Sequence, residues 1–344
     1  MELYEREFFI GNILKGYVRH KVDKDIYIHI NPPSLDEYIR SLEVFWDAHE
    51  EATEEGVMSY DECLAFMIDN EVWSVEQAQE VKTLEKRIEK LKVEIFKSFF
   101  HSEKREKARV LLNQLKEELT ELRIIEHSFD HTTTLGVATY AKNAWITENC
   151  TTYQDGVPYD WKHIDVQRGM EIQNNSNISE EVIRDLVRNQ PWQGFWTLKG
   201  EGENFFGKHP AEMTFNQQHI VSWSEAYNNV YESMECPIKA IVDDNDAFDG
   251  WMIDQGEQRE KDRGKKQGEE VSEKHTDANE VFIFAPSKED AERVNDLNDP
   301  ATKMIKRQRM QKIDSSEGVE YQKFADVKMT LTKQAHDMQK NRNK

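Results

Sequence analysis

The sequence predicts a mainly α-helical protein with a short N-terminal β-hairpin, a helical bundle containing an antiparallel helical hairpin, and a mixed α+β C-terminal part. Three observations carry this prediction. Ser34-Leu-Asp-Glu37, Ser59-Tyr-Asp-Glu62 and Ser74-Val-Glu-Gln77 have the spacing of capping boxes, in which a hydroxyl and a carboxyl or amide satisfy the free N–H groups of a helix start. From Val81 to Leu122 apolar residues recur in steps of three and four, the period of a helical seam. Charge also reverses along the chain: residues 41–81 hold twelve Asp or Glu and no Lys or Arg, whereas 82–126 hold twelve basic and nine acidic residues.

Residues 1–33 form the first unit. Tyr17, Arg19 and Lys21, then Ile26, Ile28 and Ile30, flank Asp23-Lys24-Asp25 as the two arms of a hairpin. Residues 5–15 fit one or two helical turns closed by Gly16 as an alternative, and Pro32-Pro33 ends the unit. The helical bundle covers 34–150. Its first helix is closed by Gly56, which can take a left-handed C-cap conformation. Val81, Leu84, Ile88, Leu91 and Ile95 form one seam, and Ala108, Leu112, Leu115, Leu119 and Leu122 form the next. The break at Phe99-Phe100-His101-Ser102, with Ser102 as cap, folds the two helices of 75–127 back on each other. The acidic helices before this hairpin are its expected packing partner. A further helix spans about Thr132 to Asn149.

Residues 151–254 read as an aromatic-rich mixed domain. Tyr153 to Tyr159 is a loop, and Ser179 opens a short helix stopped by Pro191. Trp192, Phe195, Trp196, Phe205 and Phe206 among glycines form either an irregular packed loop or a docking surface. Helices follow over Phe215 to Met234 and Pro237 to about Met252. Residues 255–279 are a charged linker or solvated helix extension. Residues 280–344 hold a strand candidate, Glu280-Val-Phe-Ile-Phe-Ala285, and a basic helical tail.

The net charge of −21 opposes general binding to nucleic acid, which needs a cationic surface. The tail from Lys303 to Lys344 carries eleven basic and five acidic residues, so it is either a solvated run or an element that pairs with an acidic surface, including that of a second copy. Cys63, Cys150 and Cys236 are far apart and odd in number, which implies a reducing compartment and no disulfide framework. Met1-Glu-Leu-Tyr-Glu-Arg6 does not read as a targeting segment, and no apolar run has the length of a membrane span.

No residue is assigned a catalytic, cofactor-binding or metal role. His127 and His131 are four apart, but their segment lacks the Glu of a zinc-protease helix and lies at a helix junction. Asp243-Asp-Asn-Asp246 with Asp249 and Gly250 lacks the alternation and closing Glu of a calcium loop, and reads as a polar turn or helix cap. Lys199-Gly-Glu-Gly-Glu is followed by no Gly-Lys-Ser/Thr, and no nucleophile motif surrounds Cys63 or Cys150. The residues expected to meet a partner protein are Leu84, Ile88, Leu91 and Ile95 of the hairpin, with Trp192, Phe195, Trp196, Phe205 and Phe206.

Three stretches resemble structural or tail and baseplate-hub assembly proteins of large tailed bacteriophages. They are Glu117 to Asn149, with His127-Ser-Phe-Asp-His131 before a Thr-rich helix start; Asp243 to Gln255, with Phe248-Asp-Gly-Trp-Met-Ile253; and Glu280 to Gln311. The resemblance carries over no catalytic residue. It implies a non-enzymatic protein that associates with other tail or baseplate proteins in the host cytoplasm and is either retained in the virion or released as a chaperone. The alternative is an acidic cytoplasmic adaptor for a host or phage regulatory protein.

Overall fold

The computed structural model describes residues 1–198 and 204–274. The chain opens with α1 (Leu3–Lys15), closed by Gly16 at φ 72°, in the left-handed region that a Cβ disfavours. Residues 5–15 are therefore helical, in a helix of thirteen residues and not one or two turns, and the hairpin follows it. Strands β1 (Val18–Asp23) and β2 (Ile26–Ile30) form the expected antiparallel hairpin, with Val18 opposite Ile30 and His20 opposite Ile28. A third strand, β3 (Thr151–Tyr153), pairs antiparallel with β2 and places Tyr153 opposite Ile28. The loop expected from Tyr153 thus begins after a short strand, since three residues are too few for a period-two pattern to register.

Helices α2 (Leu35–Glu54), α3 (Tyr60–Asp69) and α4 (Val75–Lys97) start on the three predicted serines. Ser34 and Ser59 each accept the N–H of the glutamate three residues on at 3.3 Å, and that carboxylate accepts the serine N–H at 2.8 Å. Ser74 accepts from the N–H of Gln77 at 3.1 Å without a reciprocal bond. At Gly56 (φ 78°) the chain leaves α2: the Val57 N–H donates to Ala52 O and the Gly56 N–H to Thr53 O, the paired bonds of a Schellman end.

Helix α5 (Ser102–Glu126) runs back along α4, with Arg123 near its end bonded to Glu85 near the start of α4 at 2.5 Å. The cap is His101, one residue before the expected Ser102, and its side chain makes no capping bond. Thr133 caps α6 (Thr134–Cys150), accepting from the Gly136 N–H at 3.0 Å. Helices α2 and α6 form an antiparallel pair: the Thr134 N–H donates to Met58 O at 2.9 Å, and the Asn31 amide donates to Cys150 O at 2.9 Å. Buried Ser41, Ala52, Ala138 and Thr147 are small enough to let the two axes approach closely.

This pairing departs from the expectation that the basic hairpin leans on the acidic helices. Helix α2 packs on α6. Helix α3 does meet the hairpin, but through an apolar cluster of Cys63, Met67, Trp73 and Val81 backed by Leu119 and Leu122. The remaining helices are α7 (Val166–Asn175), α8 (Glu180–Arg188), α9 (Trp192–Leu198), α10 (Phe215–Glu232), α11 (Lys239–Val242) and α12 (Asn245–Lys274). The helix expected over Pro237 to Met252 is thus two, separated at Asp243 and Asp244. Of the expected charged linker, 255–274 is helical. Residues 280–344, with their strand candidate and basic tail, lie outside the described residues.

Residues 1–252 form one compact unit. Its largest core joins Ile10 and Ile13 of α1, the α4–α5 seam, and α8 to α12 as far as Trp251. A second core holds Ile28, Ile30, Tyr159 and Ile172 under the sheet. In the other unit, 253–344, the described residues continue α12, where Gln258 donates to Asp254 at 2.8 Å and Lys261 pairs with Glu257 at 3.4 Å. No helix among the described residues is long and apolar enough to cross a membrane.

Candidate interaction surface

Seam residues of the hairpin lie inside the protein's own core. Leu84 is 2% exposed, Ile88 and Ile95 are buried, and Leu91 is half-buried against the same cluster. Ala108, Leu112 and Leu115 meet them from α5. The aromatic segment is also used internally. Trp192 is fully buried and its indole N–H donates to Ser224 Oγ at 2.8 Å. Phe205 lies 4.7 Å from the Trp192 ring and 5.9 Å from that of Trp196, and Phe206 meets Phe205 edge-on. Of the nine residues expected to face a partner, only Phe195 is exposed.

The Asp-rich turn that resembles a cation loop in composition is instead the anchor of the hairpin. Asp244 caps α12, accepting from the Ala247 N–H at 3.2 Å. Its other carboxylate oxygen pairs with Arg109, while Lys116 reaches Asp246 at 3.0 Å. Asp249 binds two cations, Lys92 and Arg184, each at 2.7 Å. Arg184 is 3% exposed, bonds to Tyr227 Oη at 3.1 Å and lies over the Trp223 ring. Burial works against its charge, but the Asp249 carboxylate and Tyr227 outweigh that and hold its pKa above the ordinary value. These are structural ion pairs. His127 caps the end of α5 and bonds Asp130 at 2.8 Å, and the break after α5 keeps His131 off a shared helical face.

An apolar stripe that solvent does reach lies on α2. Leu35, Ile39, Leu42 and Trp46 follow steps of four, three and four, so they share one stripe of the helix. Trp46 is 64% exposed, Ile39 49% and Leu35 40%, with Leu42 half-buried. Trp46 is edge-on to Phe45 at 5.2 Å, and Lys142 of α6 lies over the Phe45 ring. Next to the stripe runs a row of exposed carboxylates: Asp36, Glu43, Asp47, Glu50 and Glu54. Over its whole length α2 carries seven acidic residues and one basic residue, Arg40. Sequence reasoning missed this stripe as a surface although its spacing is plain.

At the start of α2, Ser34 holds Glu37 beside Cys150. Burial pushes the Glu37 carboxyl up, but bonds from Ser34 and Cys150 outweigh it and leave its pKa below the usual value. Burial, with the Glu37 charge adding to it, pushes the Cys150 thiol up to about 12. Cys150 therefore stays a thiol through neutral pH, Cys63 is buried, and Cys236 is half-exposed. A disulfide-exchange reagent at pH 8 is expected to titrate one thiol rapidly and two only on unfolding. Cys236→Ser should abolish the fast phase; a fast phase that survives it would contradict this arrangement.

No family model, curated protein or solved structure matches the chain.

Proposed function

We propose that this protein is a non-enzymatic bacteriophage tail or baseplate-hub component that acts by helix-mediated association during virion assembly. The observation that carries the association is the α2 stripe: an exposed tryptophan, isoleucine and leucine in line on a strongly acidic helix, in a chain of mean hydropathy −0.82. Contiguous exposed apolar surface with a polar border is characteristic of protein-binding faces. The acidic row beside it favours a basic amphipathic helix, whose apolar side covers Leu35, Ile39 and Trp46 while its Lys and Arg meet Asp36, Glu43 and Asp47. The tail or baseplate context rests on the resemblance of the three sequence stretches.

Quantitative mass spectrometry of purified particles beside the infected-cell lysate, with crosslinking in both, tests this reading. Fixed stoichiometry in particles with crosslinks from α2 to a tail or baseplate protein supports a structural role. Crosslinks to one tail protein in the lysate alone support an assembly chaperone. Crosslinks to host proteins only would replace this reading by that of an acidic adaptor. Trp46→Glu is expected to weaken the α2 crosslinked complex by about 2 kcal/mol or more, the loss typical of a central tryptophan. It should lower the melting temperature only slightly, because most of the side chain is already in water.

A further inference from the structure

A cleft of about 560 Å³ opens where the start of α2, the second half of α6, α7, the 3-10 turn Pro210–Glu212 and α10 meet. Its polar lining is Tyr38, Asn143, Gln173, Asn174, His209 and Gln218, with Thr147 buried among them. Ile146, Met170 and two prolines, Pro33 and Pro210, supply apolar surface. In a chain that is 32% charged, none of the twelve lining residues is Asp, Glu, Lys or Arg. Asn143, Asn174, His209 and Gln218 are exposed, and a phosphate, carboxylate or ammonium ligand would meet no counter-charge among the lining side chains.

The side-chain amides of Asn143, Gln173 and Asn174 have no hydrogen-bond partner among the described residues, so each offers both donors and an acceptor. Gln218 spends its Nε2 on Pro210 O at 2.8 Å and Met213 O at 3.3 Å, leaving its Oε1 as an acceptor. His209 accepts the Ala211 N–H at Nδ1, at 3.2 Å, which leaves its proton on Nε2 as a donor. The walls are fastened before any ligand arrives. Glu212 accepts the Leu35 N–H at 3.1 Å, and Asn216 ties α10 to the end of α7 through Ser176 O and the Ile178 N–H. The volume is within the range of small-molecule sites, which are largely pre-formed.

We propose that this cleft binds an uncharged carbohydrate, a mono- or disaccharide unit held by its hydroxyl groups. Hydroxyls both donate and accept, as the free amides do, and the C–H face of a sugar ring suits Met170, Ile146 and the Tyr38 ring. An extended peptide is a poorer match, because it needs a ladder of free backbone groups, and the helical walls use theirs internally. This ligand is separate from the helical partner of the α2 stripe, and the two are distinguished by experiment.

The test is saturation-transfer NMR and calorimetry on the full chain. The neutral probes are maltose, cellobiose, lactose and diacetylchitobiose; the charged controls are glucuronic acid, glucose 6-phosphate and glucosamine. At least one neutral disaccharide is expected to bind, with the charged sugars weaker. The near-isosteric changes Gln173→Glu and Asn174→Asp, with Asn143→Asp as a third should either perturb folding, are expected to weaken binding about tenfold at unchanged melting temperature. Trp46→Glu should leave binding unaltered. No saturation transfer to any neutral sugar at millimolar concentration, equal binding of the charged ones, or indifference to all three amide substitutions would overturn the proposal.

Discussion

Asp249→Ala is expected to destabilise residues 1–252 by about 3–4 kcal/mol, the usual scale for breaking one partner out of a buried ion pair. The loss comes from what is left behind. Arg184 stays charged and 3% exposed, keeping the Trp223 ring face, Tyr227, the distant Asn245 carbonyl and Glu180, the last mostly in water. Lys92 is less affected, since its side chain is 22% exposed and its ammonium can turn to solvent. A second substitution separates the ion pair's net contribution from this penalty. Arg184→Met together with Asp249→Leu removes both charges and keeps apolar volume, and is expected to recover most of the lost stability. Urea unfolding followed by tryptophan fluorescence reads both, and Trp223 lies directly under Arg184 at 4.3 Å. An Asp249→Ala protein within 1 kcal/mol of the parent would mean that Arg184 finds water or another partner, and the anchor described here would not hold.

Helix starts were legible because a capping box is local: Ser34 and Ser59 form their reciprocal bonds with residues three positions on, so the whole signal lies within four residues. The fate of an apolar stripe was not legible. Leu84, Ile88, Leu91 and Ile95 have the same four-three-four spacing as Leu35, Ile39, Leu42 and Trp46, yet Leu84 is sealed and Trp46 is 64% exposed. Periodicity says that a helix has an apolar side, and tertiary packing decides what covers it. The hairpin found Ile183, Leu186, Ile220 and Phe248 from more than fifty residues further on. The same distance hid the ion pairs. Lys92 and Asp249 are 157 residues apart, so the basic face of the hairpin could be matched by eye to the nearest acidic helices and was in fact matched to a later one. The polar cleft was equally invisible, since its amides come from three helices and none belongs to a motif.

Gly250→Ala is expected to cost about 2–3 kcal/mol, although alanine is the better helix former by roughly 1 kcal/mol. A Cβ at Gly250 would lie 1.9 Å from the carbonyl oxygen of Lys92 and 2.4 Å from its carbon, so α12 can accept it only by moving away from α4. The obstruction is backbone inside a helix and cannot rotate aside, unlike the end of a flexible side chain. Gly11 in α1 is the control. It too is a glycine within a helix, but a Cβ there meets nothing within 4 Å, so Gly11→Ala should stabilise by about 0.5–1 kcal/mol. Opposite signs at two helical glycines would separate close approach from conformational entropy; a stabilised Gly250→Ala protein would refute the close approach. The position also couples to the ion pair beside it. Moving α12 from Lys92 pulls Asp249 from the Lys92 ammonium, so part of the Gly250→Ala loss is the same contact that Asp249→Ala removes. The double substitution should therefore cost less than the two single losses added, by at least about 0.5 kcal/mol, because neighbouring residues that share a contact are not independent.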